Sequence, residues 1–406
     1  MLLLVILSLP VAAQEPASRA ATSGGAIPIG LSQGPALTPE QRAAIQAEIL
    51  ENRAQLRARG ALASEAEAAG GPTVSFGWPL QAAAGYTDPG YHGISGFVDH
   101  DAAFPGSLQD YECGTRTYDT AGGYNHSGVD IHPYPFTWNK MDAGAVEIIA
   151  AAPGTIVYKN DGEFDRSCAN NNNLWNAVYI EHADGTVAWY GHMKNGFVTS
   201  KAVGLPVVQG EVLGLVGSSG NSSNPHLHFE VQDAAFNLLD PYAGTCNPVS
   251  SLWSSQRPYY DSAINKLATQ SAPPVFDFCD GPEIENLKDV FAPGDDIYFA
   301  AYYRDQRLTQ STTFTVYRPD DSVFATWSHT PTIDFWVTEW DFLFSLPGNA
   351  PTGTWRVEAD FEGVTTTHFF EVLVSVPALS HPALLVLPAL LALAAGWGLR
   401  GRWSRG

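Results

Sequence analysis

The stretch Asn224-Pro225-His226-Leu227-His228-Phe229-Glu230 decides how the chain reads. Its alternation predicts a β-strand, in which successive side chains point to opposite faces. His226 and His228 then share one face, roughly 6–7 Å apart along the strand. Leu227 and Phe229 point the other way, into a core. Two imidazoles projecting side by side can hold one metal, or one can hold metal while its neighbour handles protons. Taken alone, a His-x-His pair is more often two surface histidines on a half-exposed strand, so its company decides.

Upstream stands Asn125-His126-Ser127-Gly128-Val129-Asp130. On a straight strand His126 and Asp130 would lie about 13 Å apart. They can share an ion only if the chain bends between them, and Gly128 is the residue that permits a bend. Between these two stretches, Trp189-Tyr190-Gly191-His192-Met193 ends an alternating run. Three separate segments thus each place a histidine at a strand end.

The chain has 406 residues, 45% hydrophobic and 16% charged, enough for two domains with appendages. Its formal net charge of -21 opposes binding to nucleic acid and to anionic membrane surfaces. Met1–Pro10 is apolar and small residues follow to Ala13, which predicts a secretory signal peptide over residues 1–13 and an exported protein at the periplasm or cell surface. Export permits disulfides. Cys113, Cys168, Cys246 and Cys279 contain no Cys-x-x-Cys pair, which favours two structural bridges. Nearness in sequence suggests Cys113–Cys168 and Cys246–Cys279. Pro382–Leu399 carries no charge and precedes Arg400, Arg402 and Arg405, so a C-terminal transmembrane helix is expected within residues 376–406. With Val376-Pro377-Ala378-Leu379-Ser380 ahead of it, this tail resembles a bacterial sorting signal of the Ile-Pro-Thr-Leu type, with Val for Ile and Ala for Thr.

Residues 14–37 are small and polar and read as a flexible linker. Thr38-Pro39-Glu40-Gln41 is a capping box that opens one N-terminal helix within residues 38–70, with Ile45, Ile49 and Leu56 at helical spacing. Such a helix packs on the following domain, covers a cleft or mediates association; simple packing or a flexible stalk is the favoured reading. Residues 73–259 hold short alternating strands broken by Gly, Asn and Pro, with no strong helix, which predicts an antiparallel β domain. Residues 275–374 repeat the β pattern and suit an immunoglobulin-like β-sandwich, with His329 and His368 isolated at its surface. The predicted class is mainly β.

His126-Ser127-Gly128-Val129-Asp130, Tyr190-Gly191-His192 and His226-Leu227-His228 resemble the three signature motifs of the lysostaphin-type (LytM-type) zinc endopeptidases. The framing stretches Ala152–Val157 and Gly210–Asn221 also resemble that family, and the likeness covers roughly residues 73–235. His132–Gly144 and Asp161–Asn173 are longer than a minimal member needs. Carried over position by position, the resemblance implies that His126, Asp130 and His228 bind Zn2+ and that His192 and His226 are the catalytic histidines. Three such ligands leave a fourth tetrahedral position open, as catalytic zinc requires. The implied reaction is zinc-assisted amide hydrolysis of peptidoglycan cross-bridges or stem peptides, with His192 and His226 taking up a proton or holding the oxyanion. His182 reads as structural and His132 as a weak outer candidate beside Asp130. The competing readings are a non-catalytic wall-binding or hydrolase-activating module, against which all five positions are kept, and a surface adhesion protein built on the sandwich.

Overall fold

A computed structural model describes residues 21–27, 34–64, 73–276 and 283–374. The expected leader, the expected membrane tail and Cys279 lie outside these residues. Among the described residues no helix is long and apolar enough to cross a membrane. The fold is mainly β.

The larger sheet of the first domain runs His92–Gly96, Val129–Pro133, Leu227–Gln232, Val187–Gly191, Ala177–Glu181, Gly154–Asn160 and Pro206–Val207 from edge to edge, with Leu238–Leu239 also paired to Leu227–Gln232. Every pairing along it is antiparallel. Register sets the function: His228 stands opposite Asp130 on one side and Gly191 on the other. One face of this sheet carries Val129, Val178, Ile180, Tyr190 and Phe229 into the main core. A second sheet contributes to that core through Leu80, Val146, Ile148 and Leu213.

The opposite face lies under the helix Pro39–Ala58, whose Thr38 and Gln41 form the expected capping box. Ile45, Ile49 and Leu56 pack there against Val157, Trp175, Tyr179 and Trp189. The segment before the helix is not a plain linker. Ala36 and Leu37 are buried in the same cluster, and Ser23–Ala26 is a strand paired with Phe335–Ser345. Gly24 fits because its φ is +121° and a Cβ would collide with the carbonyl of Glu339. Low side-chain content in residues 14–37 was compatible with close backbone approach, and that is how the described part is used.

Residues beyond the first domain, joined by Ser23–Ala26 as one edge strand, form two packed sheets, one of four strands and one of five. Ile297, Phe299 and Phe342 from one sheet meet Phe314, Trp327, Trp355 and Phe370 from the other. Ala263–Gln270, ahead of residue 275, belongs to the four-stranded sheet. The two domains are joined through side chains: Tyr134 and Phe136 pack with Ala300, Tyr302 and Val337, and Arg116 pairs with Asp305 at 2.7 Å. The long His132–Gly144 insertion therefore makes the domain junction. It also contains a short helix, Thr137–Asp142, where no strong helix was expected.

The disulfide expectation is corrected. Cys113 is bonded to Cys246, and Cys168 is bonded elsewhere. Sequence nearness misled because the sheet folds the two loops together: the Cys246 amide donates to the Tyr111 carbonyl at 2.8 Å.

Candidate metal centre

His126, Asp130 and His228 each present one ligand atom, and these atoms lie within 4.8 Å of one another. All three residues are buried. Asp130 and His228 meet because their strands pair in register, with His228 Nδ1 2.9 Å from Asp130 Oδ1. His126 precedes the strand and turns back, so that its Nε2 lies 3.1 Å from Asp130 Oδ2. Gly128 is needed between them for a reason other than a left-handed bend. A Cβ there would sit 2.6 Å from the His228 ring and 2.9 Å from the Phe229 carbonyl.

Tautomers follow from the outer partners. The Phe97 carbonyl accepts from His126 Nδ1 at 2.7 Å, which leaves the Nε2 lone pair facing Asp130. Glu230 Oε2 lies 3.3 Å from His228 Nε2, which leaves Nδ1 facing the same carboxylate. Two lone pairs then converge on an anion, with His126 Nε2 lacking a hydrogen-bond partner. Such an arrangement requires a cation between them, either a proton or a metal ion. The proton effect is visible in His228. Burial disfavours its charge, yet bonding to Asp130 and Glu230 raises its pKa to about 9. Burial also pushes Asp130 upward, but His126 and His226 hold its carboxyl well below the usual range. The donor set of two imidazoles and one carboxylate fits a catalytic zinc site.

His192 and His226 flank this cluster. Their rings are 4.4 Å apart, and His226 Nε2 is 3.7 Å from Asp130 Oδ1. Each has its Nδ1 fixed by a backbone carbonyl: Ser219 accepts from His192 at 2.6 Å and Asn224 from His226 at 2.8 Å. Both therefore keep Nε2 for chemistry. Burial, then the neighbouring histidines, drives the His192 pKa down. Burial also lowers that of His226, against the pull of Asp130. Two neutral imidazoles beside a cation site suit proton acceptance. His192, the first residue past the strand Val187–Gly191, holds a positive φ of 59°, uncommon for a residue other than glycine.

The structure thus brings together all five residues singled out in the sequence. It leaves His182 apart, its Nδ1 donating to the Pro153 carbonyl at 2.8 Å. His132 is buried near the domain junction with neither ring nitrogen hydrogen-bonded. Its pKa is lowered to about 3 by burial and then by the charge of Arg116. His329 and His368 are half-buried rather than surface residues; His368 lies 3.1 Å from Asp289. Glu230 escaped the sequence reading. It accepts from Ser127 Oγ at 2.7 Å and pairs with Arg42 Nη1 at 2.5 Å. Its position two residues past His228, on the same strand face, was the available signal. Trp175 also escaped notice, with its ring 4.9 Å from His192 and 5.6 Å from His228.

Residues 124–241 match Peptidase family M23. The chain is 35% identical over 111 residues to the DD-carboxypeptidase/endopeptidase Mpg of Neisseria meningitidis serogroup B, covering 26% of this chain and 23% of that protein. It is 35% identical over 97 residues to the peptidoglycan DD-endopeptidase ShyC of Vibrio cholerae, covering 24% and 22% respectively. The chain thus spans less than a quarter of the length of these curated relatives. The catalytic domain of lysostaphin from Staphylococcus simulans is 27% identical, covering 30% of this chain and 78% of that one, with a TM-score of 0.22. By its matching family and its signature motifs, this chain carries a Peptidase family M23 domain of the LytM type.

Proposed function

We propose that the chain is a zinc-dependent endopeptidase that hydrolyses peptide bonds of peptidoglycan. The carrying observation is the convergence of two imidazole lone pairs and one carboxylate, with two further imidazoles beside them. The peptidoglycan substrate is taken from the relatives, of which ShyC is named a peptidoglycan DD-endopeptidase. An exported protein at the periplasm or cell surface fits that substrate.

His126, Asp130 and His228 would hold Zn2+, which supplies Lewis-acid polarisation and a more acidic water at neutral pH. Glu230 and the Phe97 carbonyl orient the two histidine ligands. His192 and His226 remain neutral at pH 7 and can accept the attacking water's proton at Nε2. The resulting imidazolium can then donate to the leaving amine or to the developing oxyanion. The C-terminal sandwich, read as immunoglobulin-like, contributes no group to this cluster and serves as a scaffold or binding unit.

The test is zinc content together with digestion of purified peptidoglycan, read by mass spectrometry of the released fragments. The expected result is about one zinc per chain for the three-ligand site of His126, Asp130 and His228, with new amino termini in the peptide moiety. Metal-loaded chain that leaves peptidoglycan and its isolated peptides intact would support the wall-binding reading instead.

A further inference from the structure

Three buried rings meet beside the metal cluster. His192 and His228 stand 6.0 Å apart and nearly perpendicular, at 84°. The indole of Trp175 touches both, 4.9 Å from His192 at 86° and 5.6 Å from His228 at 43°. It is fully buried. The Ser219 carbonyl holds His192 at one atom, Nδ1. A histidine ring turns easily about its last torsion, so one hydrogen bond leaves its plane free to rock. The indole is the second point of support.

The chain makes room for this indole at two glycines. Gly191 stands opposite His228 in the sheet, and a Cβ there would strike the six-membered part of the Trp175 ring. Gly220, with φ +74°, would place a Cβ 2.9 Å from that of Trp175. The far end of the ring is tied as well. Its Nε1–H donates to the Tyr179 hydroxyl at 2.7 Å, and its apolar surface shares a cluster with Leu37, Tyr179 and Trp189. The backbone beside it is joined to that of the histidine. Asn176 N donates to Ser219 Oγ at 2.9 Å, and Met193 N donates to the Asn176 carbonyl at 2.9 Å. Ser219 thus serves both segments, accepting from His192 at its carbonyl and from Asn176 at its hydroxyl.

We propose that Trp175 is a positioning residue for the reaction: it fixes the plane of His192 and the spacing of that ring from the ligand His228. This rests on the hydrolase reading above, because His192 needs a defined aim only if its Nε2 takes a proton. Aromatic contacts are directional, and a perpendicular pair resists rotation of either ring. With Nδ1 on Ser219 and the ring against the indole, the direction of Nε2 is set. Trp175 exchanges no proton itself, since its one N–H is spent on Tyr179. It acts through the two imidazoles.

The test compares the full chain, loaded with zinc, with Trp175→Ala and Trp175→Phe, each first shown to hold metal and to unfold cooperatively. On a peptidoglycan peptide, Trp175→Ala should lose about 10–100-fold in kcat with KM within about twofold, the scale of a misplaced reacting group. Trp175→Phe keeps a flat ring and should stay within about threefold of the parent. A second readout needs no turnover. It is the imidazole N–H signal of His192 in the NMR spectrum of histidine-labelled chain, identified by its absence in His192→Ala. That signal should be sharp in the parent and in Trp175→Phe, and broadened or displaced in Trp175→Ala.

Either parental kcat or an unchanged His192 signal in Trp175→Ala overturns the proposal. A loss confined to KM does so too, because it would make Trp175 a substrate contact. So does a loss of kcat that Trp175→Phe shares in full. Should Trp175→Ala fail to fold or to hold zinc, Trp175→Leu fills much of the space without a flat ring and takes its place. A leucine variant equal to the phenylalanine one in both readouts, or one that also fails to fold, marks the indole as core packing, and the proposal falls. A parent chain that cleaves neither peptidoglycan nor its peptides defeats the hydrolase reading, while the His192 signal still decides whether Trp175 holds the ring.

Discussion

Two strands of this molecule, one in each domain, show how burial separates a site from a scaffold. In the sandwich, Thr312–Tyr317 alternates buried and half-buried positions, and Thr313, Thr315 and Tyr317 face outward. In the first domain, Leu227–Gln232 is buried at every position. Its second face carries His228, Glu230 and Gln232 where water cannot reach them. A buried polar group without a partner costs roughly 2–7 kcal/mol in transfer terms. That face is therefore stable only because Asp130, Ser127 and Arg42 answer it. Polar alternation meeting solvent is an ordinary sheet; polar alternation under a cover is a place where something must bind.

Histidine substitutions in the two domains give the sharpest contrast. His228→Ala removes a ligand atom from the cluster, and the chain is expected to lose its zinc and with it all measurable hydrolysis. His368→Ala, in the sandwich, removes a partner of Asp289 and Thr269. It should keep zinc and rate, with a stability change of about 1 kcal/mol, the scale of one net hydrogen bond. Zinc analysis and thermal unfolding of both variants decide the matter; equal metal loss in the two would erase the distinction between the domains. Next in size is His192→Ala, expected to retain zinc while losing ~10²–10⁴-fold in turnover, the usual contribution of a positioned proton acceptor. Retained turnover in that variant would move the role to His226 alone.

The sequence made the two imidazoles of His226-Leu227-His228 legible because a period of two is unaffected by tertiary context. It also exposed His126 and Asp130, whose separation demanded a bend. What it hid was spatial. Gly128 is present for the ring of a residue a hundred positions away, not for its own φ. Cys113 meets Cys246 because the sheet register brings their loops together, which no spacing rule reports. Ser23–Ala26 looked featureless because strand addition uses backbone groups, and composition is blind to them. The helix was legible in its cap and stripe, but its partner was not: Arg42 and Glu230 are unremarkable alone, and only the fold makes them a pair.

Glu230 allows a finer comparison within the site. Glu230→Ala leaves His228 Nε2 without its acceptor and should weaken zinc binding by ~10–100-fold, the usual effect of losing an outer partner. Glu230→Gln retains an acceptor oxygen and should lose less. Competition with a chromogenic chelator measures both. Equal affinities for Gln, Ala and the parent chain would remove Glu230 from any part in orienting the ligand.

The smallest effect concerns a buried polar face in the sandwich that has found no such use. Glu339 is 4% exposed and shares its strand face with Asp341, which accepts a hydrogen bond from Ser23. Burial first, and then the charge of Asp341, raise the Glu339 pKa from 4.5 to about 9. A raised carboxyl means that the folded chain holds a proton that the unfolded chain has released. Its stabilising share is complete below pH 4.5 and is lost as the pH rises toward 9. Glu339→Gln keeps the shape and cannot ionise, so it should unfold at a similar temperature to the parent at pH 4.5 and a few degrees higher at pH 8.5. Parallel unfolding temperatures across that range would mean that Asp341, or solvent reaching the strand, carries the charge instead. In that case the sandwich, like the peptidase strand, would have solved its buried polar face by recruiting a partner.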